Sequence, residues 1–179
     1  MTNILGNMQW TSDIKSYSNV DIVIEAINED FELKKVIFKN LASVVPTHTI
    51  LATNTAITSI TKLAGTIPEF ADRVIGLHFM NPVHDTSRAE LIRGLKTSDD
   101  THKQTLLYAQ KMGKICSTAL DTPGFMANRF PMTYINEAII ALQEGVGTVE
   151  YIDKTLKLGP MGPLTLADFI GLDTCVAIM

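Results

Sequence analysis

A histidine, His78, and a carboxylate, Glu90, lie equidistant from His84 along the chain. Arg73-Val-Ile-Gly-Leu-His-Phe79 reads as a buried strand with His78 at its far end, and Ala89-Glu-Leu-Ile-Arg93 reads as a second, short strand. Asn81 to Arg88, between them, is polar and proline-bearing, as a connecting loop should be. If that loop folds the chain back, imidazole and carboxylate meet. A histidine oriented by a carboxylate is a general base suited to neutral pH, because its proton affinity lies in that range and the acid fixes its tautomer. Spacing alone equally allows a strand-end histidine and an unrelated surface glutamate, so the surrounding elements must decide.

Those elements alternate. Val20-Asp-Ile-Val-Ile-Glu-Ala-Ile27 is a near-continuous apolar run rich in β-branched residues, which fits a strand covered on both faces. A helix opens after Asn28-Glu29-Asp30, with Phe31, Leu33, Val36, Ile37 and Leu41 at helical spacing and lysines 34, 35 and 39 on the other side. Pro46 ends it. Thr49 to Thr53 is the next strand, Asn54 to Thr58 its exit loop, and Ser59 an N-cap for Ile60 to Gly65. A helix over Asp99 to Lys114, capped by Ser98 or Asp99, and a strand over Ile115 to Ala119 follow the His78–Glu90 region. Such alternation implies an α/β domain with a mostly parallel sheet, whose ligands bind at the carboxyl ends of the strands. Glu29, Asn54, His78 and Asn81 all fall at such ends; taken singly, Glu29 and Asn54 also suit capping or turn roles.

Asp121-Thr-Pro-Gly124 breaks the pattern, and from Phe125 onward the chain reads as helical, with Pro131 implying a kink or a late start. Thr148 caps a further helix through Leu158, and Gly159 to Pro163 forms a rigid loop before the last helical stretch. The expected organisation is an α/β unit over 1–122 and an all-α unit over 123–179. In the polar first twenty residues, Trp10 is the large apolar anchor.

Composition narrows the function classes. A net charge of −4 without Lys/Arg runs argues against a nucleic-acid surface, and no run of about 18 apolar residues spans a membrane. Cys116 and Cys175 are isolated and read as reduced, buried thiols of an intracellular protein; no ligand cluster suggests a metal. Residues 1–8 have neither the basic nor the apolar region of a signal peptide.

Five motifs recur in order: Val-Ile-Glu-Ala-Ile-Asn-Glu (23–29), Leu-Ala-Thr-Asn-Thr (51–55), Gly-Leu-His-Phe-Met-Asn-Pro (76–82), Asp-Thr-Pro-Gly-Phe-Met-Ala-Asn-Arg (121–129) and Pro-Met-Gly-Pro (160–163). Together they resemble the L-3-hydroxyacyl-CoA dehydrogenase family, and the tail from Ala167 resembles its short-chain, 3-hydroxybutyryl-CoA branch. The resemblance implies a Rossmann-like NAD-binding domain, here partial, followed by an all-α domain carrying a homodimer contact. It implies interconversion of 3-hydroxyacyl-CoA and 3-ketoacyl-CoA with NAD(H), in the cytoplasm or, in a eukaryote, the mitochondrial matrix. His78 matches the catalytic base, Glu90 the carboxylate that orients it, and Asn128 the asparagine that contacts substrate. Asn81 matches a residue beside the nicotinamide, Glu29 and Lys34 positions on the cofactor ribose and CoA side, and Asn54 the loop over the nicotinamide. Arg129 reads as structural.

The chain also departs from the family. No GxGxxG occurs, although a dinucleotide site needs a glycine-rich turn at a helix N-terminus for the pyrophosphate. That turn and the first strands are expected to precede Met1, and the helical domain to continue past Met179. Ala56 stands where the family carries a serine, residues 84–89 are more polar than usual, and the loop before Pro160 is short by a few residues. Ala56 and the missing turn favour a second reading, a non-catalytic relative used, like lambda-crystallin, for structure or acyl-CoA binding. His78, Glu90 and Asn128 favour the enzyme.

Overall fold

The structure is a computed structural model and describes residues 4–157 and 159–179. One sheet holds five strands in chain order: β1 (Ile22–Glu25), β2 (Ile50–Thr53), β3 (Val74–Phe79), β4 (Arg88–Arg93) and β5 (Ile115–Leu120). β1, β2 and β3 run parallel, β4 returns antiparallel to β3, and β5 is parallel to β4. Alternate residues of the strands serve two layers. Val23, Leu51, Val74 and Ile92 pack against α1 (Phe31–Ala42) and α2 (Ile60–Ala64), while Ala52, Ile75, Leu77 and Leu91 pack towards α3 (Asp99–Lys111). Leu51, Ile75, Leu77, Leu91 and Ile92 are each at most 1% exposed, and each such side chain contributes about 1.5–3 kcal/mol by leaving water. Gly76 lies within this packing: a Cβ there would come 2.8 Å from Ile92 Cβ, so only glycine lets β3 and β4 close just below His78 and Glu90.

Beyond residues 121–128, which form turns, come α4 (Arg129–Gln143), α5 (Val149–Thr155), α6 (Pro163–Ile170) and α7 (Leu172–Ile178). Met132, Ile135, Ala167 and Cys175 make their shared core. The helix read from Phe125 starts late, at Arg129, which leaves Pro131 in the first turn where its missing N–H costs nothing. The helix capped by Thr148 ends at Thr155; its expected end, Leu158, lies outside the described residues.

Ser59 and Ser98 cap α2 and α3 as the sequence indicates, accepting from Lys62 N and Thr101 N. Three readings change. Trp10 is 86% exposed and is no core anchor among the described residues; Ile14 and Val20 pack against the core instead. The buried face of α1 is Lys34, Phe38 and Leu41, while Leu33 and Val36 are about half exposed, because a buried partner awaits the Lys34 ammonium. And α3 stops at Lys111, where Gly113 takes φ +77° and Gly113 and Lys114 N–H close on Gln110 and Ala109 carbonyls in a Schellman arrangement.

Asp153 joins two helices by accepting hydrogen bonds at the N-terminus of α6, from Leu164 N at 2.7 Å, Thr165 N at 2.8 Å and the Thr165 hydroxyl. Burial works to raise the Asp153 pKa, but these bonds outweigh it and hold the carboxyl below the usual aspartate range. Asp153→Ala is expected to cost about 1 kcal/mol at neutral pH, the worth of a helix cap. Because the folded-state pKa is depressed, that contribution exists above the unfolded value and is lost as pH falls through the folded one. Denaturant melts of both proteins, compared at neutral and strongly acidic pH, check it by the gap closing.

Candidate active site

His78 and Glu90 are register partners across the antiparallel β3–β4 pair, so the loop does turn the chain back and bring them face to face. Glu90 is 1% exposed, and its two oxygens accept from Met126 N at 3.1 Å and Ala127 N at 3.2 Å. The turn that leads into α4 thereby fixes the carboxylate. The Nδ1 of His78 lies 3.9 Å from Glu90 Oε2, near enough for charge attraction and too far for a hydrogen bond. That Nδ1 is buried and has no hydrogen-bond partner among the described residues. A shift of about 1 Å would satisfy it, and Glu90 is the acceptor in place.

The other candidates surround the same strand ends. Asn128 Nδ2 donates to the Ala56 carbonyl at 3.0 Å, and Ala56 N donates to Glu29 Oε1. The Glu29 carboxylate also accepts from Thr55 Oγ1 at 2.7 and 2.9 Å and from Thr58 Oγ1 at 3.2 Å, which leaves its side chain 31% exposed. The backbone of one residue, Ala56, thus ties Glu29 to Asn128 through its N–H and its carbonyl. Asn54 Oδ1 accepts from Phe79 N at 2.9 Å, which links the ends of β2 and β3 beside His78. Asn81 sits in the exposed loop beyond β3. Lys34 lies apart from open surface: its fully buried Nζ donates to Glu25 Oε1 at 2.8 Å and Ile27 O at 3.3 Å, and is 3.8 Å from Glu29 Oε2. Among His48, His84 and His102, the first two are surface residues; His102 is half-buried against Thr118 Oγ1 at 2.9 Å, and burial and the Arg93 charge lower its pKa.

Sequence reasoning missed Asp121. Its carboxylate accepts from Ser59 Oγ, Ile60 N and Thr61 N at 2.7–3.1 Å, so it caps α2 from across the fold and fixes the start of the Asp-Thr-Pro-Gly turn. An acidic residue before Thr-Pro-Gly was visible; the helix end it serves, some sixty residues earlier, was not. Beside this junction a cleft of about 630 Å³ runs between Glu29, Thr58, Lys62, Pro123 and Phe125. A smaller one of about 250 Å³ opens at Asn128, Arg129, Met132 and Asn136. Among the described residues no helix is long and apolar enough to cross a membrane, and no cluster of His, Cys, Asp and Glu could hold a metal ion.

The family described as 3-hydroxyacyl-CoA dehydrogenase, NAD binding domain, matches residues 1–121, and its C-terminal domain matches residues 124–179. "Probable 3-hydroxybutyryl-CoA dehydrogenase" of Bacillus subtilis is 46% identical over 99% of the chain and 62% of its own length. The 3-hydroxybutyryl-CoA dehydrogenase of Bradyrhizobium diazoefficiens is 44% identical over 99% of the chain and 61% of its own length. The crystal structure of (S)-3-hydroxybutyryl-CoA dehydrogenase PaaH1 from Ralstonia eutropha superposes with a TM-score of 0.94 at 44% identity, covering 97% of this chain and 62% of that one. The chain therefore spans a little over three-fifths of the length of these relatives. With both domain matches running in order through the whole chain, it belongs to the 3-hydroxyacyl-CoA dehydrogenase family.

Proposed function

We propose that this chain carries the catalytic base of an NAD-dependent dehydrogenase that interconverts 3-hydroxyacyl-CoA, chiefly 3-hydroxybutyryl-CoA, and the 3-ketoacyl-CoA. The observation that carries the reading is the His78–Glu90 register pair, with Glu90 fixed by the Met126 and Ala127 N–H groups. In this reading His78 takes the 3-hydroxyl proton while the C3–H electron pair leaves as hydride and the C–O bond becomes a carbonyl. Glu90 holds the imidazole's tautomer and offsets the charge it gains. Asn128, half-buried and anchored on the Ala56 carbonyl, supplies the amide beside the substrate oxygen. The dehydrogenase names of the relatives support this over a crystallin-like structural role.

The polar groups at the strand ends suit the sugar and carboxamide end of NAD: a part-exposed carboxylate, Glu29, would accept from ribose hydroxyls, and Asn54 suits a carboxamide neighbour. Asn81 would approach from the loop beyond β3. Lys34, fully buried, would act on this half-site by holding Glu25 and Glu29. When bound, NAD supplies the hydride acceptor, and the protein's part is orientation and proton handling. This reading places the chain in a compartment that holds acyl-CoA and NAD(H), the cytoplasm of a bacterium or the mitochondrial matrix of a eukaryote. It also keeps the two units meeting near Thr122. The test is loss of NADH absorbance with acetoacetyl-CoA in the full-length protein, which should require both compounds; no turnover there would sink the reading.

A homodimer through the helical unit belongs to the same proposal. Phe130, Tyr151, Phe169 and Val176 are 64–72% exposed there, an apolar surface that a second copy would cover. Light scattering is expected to give a mass about double the 19.7 kDa chain, and a monomer at micromolar concentration would contradict it.

A further inference from the structure

Between His78 and Glu90 the chain runs through a loop with little apolar anchorage. Asn81, Pro82, Val83, His84, Asp85, Ser87 and Arg88 are all exposed. What holds such a segment is its backbone hydrogen bonding, and each carbonyl that lacks a partner is free to turn to water. Within the loop, Asp85 N and Thr86 N donate to Pro82 O, and Met80 N donates to Arg88 O at 3.3 Å across its base. Two further carbonyls, those of Val83 and Thr86, are gathered by one group from another element. Lys114 Nζ donates to Val83 O at 2.5 Å and to Thr86 O at 2.6 Å. The same ammonium stands 5.9 Å from the centroid of the Phe79 ring. Phe79 follows His78 directly, and its own N–H is tied to Asn54 Oδ1.

Lys114 is itself aimed by the fold. It follows Gly113, whose left-handed φ of +77° ends α3, and its N–H closes on the Ala109 carbonyl at 3.0 Å. The next residue, Ile115, donates its N–H to Ser87 O at 2.6 Å, which starts β5 beside β4. The lysine is therefore fixed on both sides before its side chain reaches over the loop. Its three donors match the task, because a rotating ammonium can serve two carbonyls and still face an aromatic ring.

Resting on the dehydrogenase reading above, we infer that Lys114 is a positioning residue for the reaction. Through the Val83 and Thr86 carbonyls and the Phe79 ring it clamps the 80–88 loop, so that His78 stays opposite Glu90 and Asn81 stays beside the strand ends. It touches neither reacting group. Its effect runs through the geometry of the base and not through binding of the acyl-CoA.

In the full-length protein, the test compares Lys114→Met, which keeps the stem and removes the donors, with Lys114→Arg, which restores donors on a stem of similar reach. Hydrogen exchange followed by mass spectrometry reads the loop, and NADH oxidation with acetoacetyl-CoA reads the chemistry. In Lys114→Met the peptides covering residues 80–88 are expected to exchange about tenfold faster while those of β1 and β2 keep their rates. The kcat is expected to fall about tenfold with KM for acetoacetyl-CoA within about twofold, and Lys114→Arg to recover most of both losses. Unchanged exchange in 80–88 would overturn the clamp. Faster exchange with unchanged kcat, or a loss confined to KM, would overturn the positioning role. Absence of turnover in the wild-type protein would instead sink the dehydrogenase reading and the role in catalysis with it, while the exchange arm still decides whether Lys114 holds the loop.

Discussion

Replacing His78 with glutamine in the full-length protein is expected to lower the turnover of NADH with acetoacetyl-CoA at least about a hundredfold, the usual worth of a placed general acid or base. Glutamine fills a similar volume and can hydrogen-bond, but it cannot take up a proton at neutral pH. The fold has little reason to notice the change. His78 joins the sheet through its main chain, opposite Glu90, and its Nδ1 has no hydrogen-bond partner to lose among the described residues. The loss should therefore fall on kcat, with KM for acetoacetyl-CoA and the melting temperature close to wild type. Full activity in His78→Gln would end the role given to this histidine. A loss of activity with a collapsed melting curve would show a structural residue in its place.

The register of this pair was legible because it depends only on local features: two short apolar runs, a polar loop of fixed length, and the period of two that puts His78 and Glu90 on one face. The caps at Ser59, Ser98 and Thr148 were legible for a similar reason, since a cap and the N–H groups it serves lie within three residues. What stayed hidden acts over distance or through the backbone. Glu90 is fixed by main-chain N–H groups 36 and 37 residues away, and any residue types but proline at 126 and 127 would supply them. Asn128 was flagged as a substrate contact, but its anchor is the Ala56 carbonyl, again a group without a side-chain signature. The loss of a serine hydroxyl at Ala56 thus leaves the backbone link between Glu29 and Asn128 intact. Trp10 was misread because large size alone does not supply a neighbour to pack on.

Lys34 departs furthest from its helical spacing, and its replacement carries the largest stability effect expected of a single change. Helical spacing put it on a solvent face beside Lys35 and Lys39, yet its side chain is fully buried against Glu25, which is 5% exposed. Glu25 in turn accepts from Thr53 Oγ1 at 2.7 Å and Ile27 N at 2.7 Å, so its position is set from three sides. Lys34→Met would keep most of the volume and strand that carboxylate without a counter-charge. Breaking a buried pair from one side costs about 3–5 kcal/mol, which for a chain of this size lowers the melting temperature by roughly 10 °C. Removing both charges should cost far less, because in Lys34→Met with Glu25→Gln the amide oxygen can still accept from Ile27 N, the amide NH2 can donate to the Thr53 hydroxyl, and no bare charge remains. Thermal melts of the two single variants and the double variant close the cycle; a double variant as unstable as the sum of the singles would mean the pair is not coupled. The consequence reaches the site, because Lys34 also lies 3.8 Å from Glu29, whose carboxylate holds Thr55, Ala56 and Thr58. With the ammonium gone, two carboxylates lose their shared cation at the strand ends where Asn128 is anchored. The double variant should then regain stability more completely than activity, since Glu29 remains without its partner.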